Sequence, residues 1–203
     1  LKKIAVIIVA AGASSRMKRA KQLLPFGETT LLGHAIEQAE ASVAEKVYVI
    51  LGANAGVIKE HFNLPALNVV ENKHWEEGIG TSISIGVKEV AEKADFDAIL
   101  LMLGDQPLIG SVYLDQMITA FRKDPSKIIA TKYPKSTGVP AIFPKKYFPK
   151  LMLLEGDSGA KSLLYEYGSQ VISLAAGKKI KDIDTPEDYK NLLEQLSSWG
   201  NFI

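Results

Sequence analysis

The stretch that decides the fold is IAVIIVAAGASSRMKRAKQLLPF, Ile4 to Phe26. Its apolar run from Ile4 to Ala10 is unbroken, too short to span a bilayer and rich in β-branched residues. That is the pattern of a strand covered on both faces in a parallel sheet. Five small residues, Ala11, Gly12, Ala13, Ser14 and Ser15, then give way to Arg16, Lys18, Arg19 and Lys21. Backbone amides left open by small side chains, with cations close behind, suit a polyphosphate. A nucleoside triphosphate is the expected ligand of this loop.

Outward from this stretch, strands and helices alternate. Gly27 to Thr30 read as a turn, and Leu31, Leu32, Ala35, Ile36 and Ala39 recur at helical spacing behind Thr30 as N-cap. Lys46 to Leu51 predicts a strand, Val57, Ile58 and Phe62 a short helix stopped by Pro65, and Leu67 to Val70 another strand. In WEEGIGTSISIG, Trp75 to Gly86, a helix from about Thr81 to Lys93 is expected. Thr81 or Ser82 caps that helix, or Gly80, Thr81 and Ser82 contact an anion or base at its N-terminus. Asp97 to Leu103 is a further strand, and it runs directly into Gly104 and Asp105. Asp105 either caps a turn before Pro107 or presents its carboxylate where open α/β sheets bind ligands.

Ser111 to Lys123 predicts an amphipathic helix and Lys127 to Lys132 a strand, and the alternation so far implies a mostly parallel sheet. A less regular, lid-like region is expected next, with a strand over Pro140 to Phe143, a helix over Lys145 to Leu154 and a second helix capped by Ser158. Gln170 to Leu174 reads as a strand. In KDIDTPEDY, Thr185, Pro186 and Asp188 form a helix start, which leaves Asp184 outside the helix and free for another role. Trp199 and Phe202 are expected to dock on the body or on a partner.

The chain of 203 residues is long enough for one substantial core, and a single domain over residues 1–203 is expected. A formal net charge of +1 gives no global field for nucleic acid or an anionic membrane, so neither is an expected partner. With no cysteine there is no disulfide framework, thiolate nucleophile or cysteine metal site, and the cytoplasm is the simplest compartment. Lys2 and Lys3 before an apolar run also resemble a short secretory signal, but removing that run would take away the best strand in the chain.

Familiar phosphate loops do not fit these letters. Gly12 is followed five residues later by Met17, so a Walker A loop is absent. Ser14 and Met17 stand where a dinucleotide fingerprint needs glycine. His34, His61 and His74 lack zinc spacing, and His34 is expected on a helix surface.

The stretches VAAGASSRM with Lys21 and LLPFG, then EGIGTS, LGDQPLI, GVPAIF, LLEGDSGAKSLL and DIDTPEDY, span nearly the whole chain. In this order they resemble the molybdenum cofactor cytidylyltransferase branch of the nucleotidyltransferases related to molybdopterin-guanine dinucleotide synthase. That resemblance implies a Rossmann-like α/β nucleotidyltransferase fold. It further implies that Ala10, Ala11 and Gly12 wrap a triphosphate neutralised by Arg16 and Lys21, and that Asp105 and Asp184 hold a magnesium ion. The implied reaction is attack by a phosphorylated acceptor such as molybdopterin on the α-phosphorus of the nucleotide, with pyrophosphate leaving. Arg16, Lys21 and Asp105 would then be catalytic, and Gly80, Thr81 and Ser82 would complete the nucleotide site. Asp157 in GDSGA would position the acceptor or serve only the helix start. Ala11 matches the cytidylyl pattern, which favours CTP over GTP, while a molybdoenzyme or chaperone partner stays unassigned. A guanylyl or sugar-phosphate transferase, or a module that binds nucleotide without transfer, are the alternatives. Lys18 and Ala20 stand where relatives usually carry glycine and proline. Ile83 and Ser84 replace leucine and arginine, and Val139 replaces the histidine of a GHP triplet.

Overall fold

The apolar run at the start of the chain forms strand β1, Ile4–Ala10, and every residue of it is buried. A computed structural model describes residues 1–62 and 68–198. Pro65, Leu67, Trp199 and Phe202 lie outside the described residues. Among the described residues the fold is a Rossmann-like mixed α/β sheet of seven strands. Its members besides β1 include β4 (Lys46–Leu51), β5 (Asn68–Glu71) and β6 (Ala98–Leu103). The remaining three are β7 (Ile128–Lys132), β8 (Thr137–Pro144) and β9 (Val171–Ala175), and the order is β5-β4-β1-β6-β8-β7-β9. All neighbours pair in parallel except β8, which runs antiparallel to β6 and β7.

Helices cover both faces, which is why β1 shows no alternation of polar and apolar residues. On one face Val6 and Ile8 pack with Leu32 and Ile36 of α1 (Leu31–Glu40), Ile58 of α2 (Ala55–Phe62) and Leu114 of α4 (Ser111–Lys123). On the other, Ala5, Ile7 and Val9 meet Ile83 and Val87 of α3 (Ile79–Lys93), Leu151 of α5 (Phe148–Leu151) and Leu163 of α6 (Lys161–Glu166). Each isoleucine so buried contributes about 1.5–3 kcal/mol relative to exposure. A third, smaller cluster joins Met17, Leu24 and Phe26 to Ile183 and to Leu192 and Leu196 of α7 (Pro186–Ser198). This cluster brings the end of the chain against its opening loop.

Thr30 caps α1 as its position predicts, accepting from the Gly33 amide at 3.1 Å. Thr185 and Asp188 likewise form the reciprocal pair that starts α7, at 3.1 and 3.0 Å. Several expectations are corrected. The turn expected over Gly27 to Thr30 is confined to Gly27 and Glu28, which join β2 (Pro25–Phe26) to β3 (Thr29–Thr30) as a hairpin. The region expected to be lid-like supplies β8, an interior strand longer than Pro140 to Phe143, because its apolar residues Ala141, Ile142 and Phe143 complete both cores. The helix over Lys145 to Leu154 shrinks to a 3-10 turn and the four residues of α5. Ser158 caps nothing, since α6 begins at Lys161 after turns that use Gly156 at φ 57°. α3 starts at Ile79, and Thr81 lies in its first turn, donating to the Gly78 carbonyl at 2.9 Å instead of capping. His34 is half-buried, its ring 4.7 Å from that of Phe26. No described helix is long and apolar enough to cross a membrane.

Candidate functional site

β1 and β6 are neighbours, while the chain between them first visits β4 and β5 on the far side of β1. The connections therefore diverge at the C-terminal ends of this pair and open a crevice there, the usual ligand position of such sheets. A cavity of about 340 Å³ occupies it, lined among others by Ala11, Gly12, Lys21, Ser82, Asp105 and Asp157.

One wall is the loop after β1. Gln22, 3 % exposed, ties it down: its Nε2 donates to the carbonyls of Ala10 at 2.9 Å and Gly12 at 3.1 Å. Its Oε1 accepts from the Ser14 hydroxyl at 3.3 Å, and that hydroxyl oxygen accepts from the Lys21 amide at 3.2 Å. Ser14 and Lys18 adopt left-handed backbone, φ 57° and 53°, which makes the loop compact enough for these closures. Behind it Gly52 allows close approach. A Cβ there would lie 2.5 Å from the Ala11 carbonyl and 2.6 Å from Cβ of Trp75. Trp75 is thus a cavity wall residue, half-buried beside the loop.

A second wall is the start of α3. Asn72, 1 % exposed, follows β5 and donates from Nδ2 to the hydroxyls of Thr81 and Ser82, each at 2.9 Å. Its Oδ1 accepts from the His74 amide at 2.9 Å, so the side chain is fully committed and fixes both hydroxyls. Gly80 is needed for contact, since a Cβ there would come 2.6 Å from the Glu155 carbonyl oxygen.

The acidic wall comes from two distant segments. Asp105 follows β6, and its carbonyl accepts from the Ile183 amide at 3.0 Å, which sets the stretch Asp182 to Asp184 alongside it. Nζ of Lys21 then lies 2.6 Å from Oδ2 of Asp105 and 2.8 Å from Oδ1 of Asp184. Arg16 takes the other oxygen of Asp184 at 3.0 Å. Burial would lower the basicity of Lys21, yet the two carboxylates outweigh it and hold the ammonium above its ordinary value. For Asp184 burial opposes ionisation, and Lys21 with Arg16 overcomes this to hold the carboxyl below the usual range. Asp182 is shifted the opposite way. Burial raises it, the Gln106 amide at 2.7 Å works against that, and the charges of Asp105 and Asp184 add to the rise.

Of the residues singled out in the sequence, Ala10, Ala11, Gly12, Lys21, Ser82 and Asp105 line one cavity. Arg16 and Asp184 are not among its lining residues; Asp184 is joined to it by the ion pair with Lys21, and Arg16 by its pair with Asp184, while Gly80 and Thr81 lie with Ser82 in the first turn of α3. Sequence reasoning missed Gln22, Asn72 and Asp182. Nothing local marks Asn72, but Asp182 precedes Asp184 by two residues, the spacing that returns to one face of an extended segment.

The arrangement suits a hard divalent cation. Oxygens of Asp105 and Asp184 that converge on one ammonium also converge on one metal position, and carboxylates are the donors magnesium takes. Oδ1 of Asp105 has no hydrogen-bond partner among the described residues. No group of three or more His, Cys, Asp or Glu among the described residues forms a metal cluster, so further ligands would come from water and substrate phosphate.

Known proteins share this framework. The chain is 31 % identical to Rv0371c from Mycobacterium tuberculosis, with TM-score 0.84 over 95 % of this chain and 98 % of that one. The manganese complex of the same mycobacterial protein aligns at 30 % identity and TM-score 0.79, over 95 % and 99 % of the two chains. Among curated proteins, the nicotine blue oxidoreductase of Paenarthrobacter nicotinovorans is 28 % identical over 92 % of this chain and 95 % of its own length. The purine catabolism protein PucB of Bacillus subtilis is 27 % identical over 94 % and 96 %. The profile of the MobA-like NTP transferase domain matches residues 6–171, which contain the opening loop, the start of α3 and Asp105; the chain belongs to this family.

Proposed function

We propose that this protein is a single-domain, magnesium-dependent nucleotidyltransferase that moves CMP from CTP to a phosphorylated small molecule of the molybdopterin type and releases pyrophosphate. The observation that carries the reading is the position of Lys21, which joins the phosphate-type loop to both carboxylates within 2.8 Å. General nucleotidyltransferase chemistry follows from the family, and the manganese held by the mycobacterial relative supports a divalent ion. The preference for CTP rests on Ala11, which lines the cavity beside Gly12 and matches the cytidylyl pattern.

In this reading Ala10, Ala11 and Gly12 face the triphosphate, and the hydroxyls fixed by Asn72 and the first turn of α3 hold the nucleotide's other side. Arg16 and Lys21 neutralise the phosphates, so that an anionic acceptor can approach. The acceptor phosphate is already an oxyanion at neutral pH, and its oxygen attacks the α-phosphorus while the bond to the β-phosphate breaks. No protein nucleophile is required; positioning and charge neutralisation provide the acceleration. Asp105 and Asp184 would hold magnesium, which supplies Lewis-acid polarisation of the phosphoryl oxygens. Asp157 lines the same cavity, which supports a role for it in orienting the acceptor.

The test is pyrophosphate release with each of the four nucleoside triphosphates against a panel of phosphorylated acceptors. Release with CTP and a molybdopterin-type acceptor is expected. Release with GTP alone, or only with a sugar phosphate, would replace the substrate assignment. Tight nucleotide binding without release under every acceptor would mark a binding module instead.

A further inference from the structure

The four carboxylate oxygens of Asp105 and Asp184 are all engaged or enclosed. Lys21 takes Oδ2 of Asp105 at 2.6 Å and Oδ1 of Asp184 at 2.8 Å, Arg16 takes Oδ2 of Asp184 at 3.0 Å, and Oδ1 of Asp105 is buried. The Lys21 side chain is 14 % exposed, so its ammonium fills the space between the carboxylates and is not a loosely held surface charge. An ammonium and a divalent ion cannot share that position, because each would need the same oxygens and the two repel.

We propose that Lys21 is a built-in competitor for the divalent cation, holding the position between Asp105 and Asp184 and giving it up when the metal enters. The inference rests on the assignment of these carboxylates as the metal site. It adds that the resting protein carries its own counter-ion there, which lowers its affinity for free metal. The released ammonium is then available to a triphosphate lying along the loop from Ala10 to Gly12, since Lys21 lines the same cavity. Metal and nucleotide thereby favour each other's binding through one side chain with two alternative partners.

The test is binding of manganese alone, followed by electron paramagnetic resonance, to the nucleotide-free protein. Lys21→Met is expected to bind manganese on the order of tenfold more tightly than the wild type, the size of a close charge pair removed. Adding Asp105→Asn to that variant should abolish the gain. Equal affinity of wild type and Lys21→Met, weaker affinity of the variant, or a gain that survives Asp105→Asn overturns the proposal. A second measurement uses the wild type only. Acetylation of Lys21 by an amine-reactive reagent, mapped by mass spectrometry, should rise severalfold as manganese saturates the protein. Unchanged labelling under saturating manganese also overturns it. Pyrophosphate release by the wild type is independent of either outcome, so the competitor role can fail while the transferase reading stands.

Discussion

Oδ2 of Asp105 lies 2.6 Å from Nζ of Lys21, although 84 residues separate them in the chain. The contact joins the loop after β1 to the loop after β6, and the transferase reading depends on it. Asp105→Asn keeps the size of the side chain and removes its charge. Pyrophosphate release should fall by about 10²–10³-fold, the scale of losing one preorganised charge contact, with the circular dichroism spectrum unchanged. Undiminished release from the folded variant would remove Asp105 from the mechanism.

Asn72 is a positioning residue whose amide fixes Thr81 and Ser82. Asn72→Ala takes the donor from the Thr81 and Ser82 hydroxyl oxygens and the acceptor from the His74 amide, at a cost of about 1–3 kcal/mol in urea unfolding. Since Ser82 lines the cavity, nucleotide KM should rise more than kcat falls. A change in stability with no change in KM would separate Asn72 from the nucleotide side.

Asp182 and Asp184 are predicted to respond oppositely to pH in the metal-free protein. Asp184 is held below its ordinary 3.8, so its contribution to stability is full above that value and lost as pH falls through the lowered one. Asp182 is held above 3.8, so its ionised form costs stability at neutral pH and the cost disappears on acidification through the raised value. With a chelator present, Asp184→Asn should flatten the acid limb of a stability profile below about pH 4, whereas Asp182→Asn should raise stability at neutrality. Parallel shifts in the two variants would contradict the assignment.

Gly80 admits no side chain. Its added Cβ would lie 2.6 Å from the Glu155 carbonyl oxygen and 2.7 Å from the same residue's nitrogen, both rigid backbone atoms. Gly80→Ala should destabilise by about 1–3 kcal/mol through overpacking. Because the displaced segment leads to Asp157, acceptor KM should rise as well; a melting temperature equal to wild type would show that the walls yield more easily than their contacts imply.

Lys18 carries φ 53°, a conformation that glycine adopts without strain. Relief of a left-handed penalty of about 1–2 kcal/mol exceeds the added chain entropy of about 0.5–1 kcal/mol, so Lys18→Gly should stabilise slightly. Thermal unfolding measures it, and a clear loss of stability would mean that the Lys18 side chain itself holds the loop. The resemblance places a glycine in relatives at this position, and the backbone supplies a physical reason.

Periodicity alone made most of the fold legible. An apolar run covered on both faces, followed by alternating helices and strands, requires a mostly parallel sheet, and caps such as Thr30 and Thr185 act within one turn of their own helix. Short-range chemistry of this kind is written where it operates. The strand expected over Pro140 to Phe143 lies within β8, but its full length and its antiparallel interior place escaped, because such a strand differs from a lid segment only in what surrounds it. Ser158 misled for a related reason: a hydroxyl beside glycines suits a cap, but the turns at Gly156 delay the helix beyond its reach.

For the site, the sequence by itself determined which groups were available: small residues and cations after β1, a carboxylate past the end of β6, and a spare aspartate before the last helix. Only the tertiary structure decided how they meet. The order of strands sets Ala10 beside Gly104, the cluster of Met17, Ile183 and Leu192 pulls Asp184 to the opening loop, and the buried amides of Gln22 and Asn72 lock the walls. These contacts are long-range, and their energy comes from burial of groups far apart in the chain. That is why Ile4 to Phe26 could announce the phosphate-type loop, while the pairing of its Lys21 with two aspartates had to come from the fold.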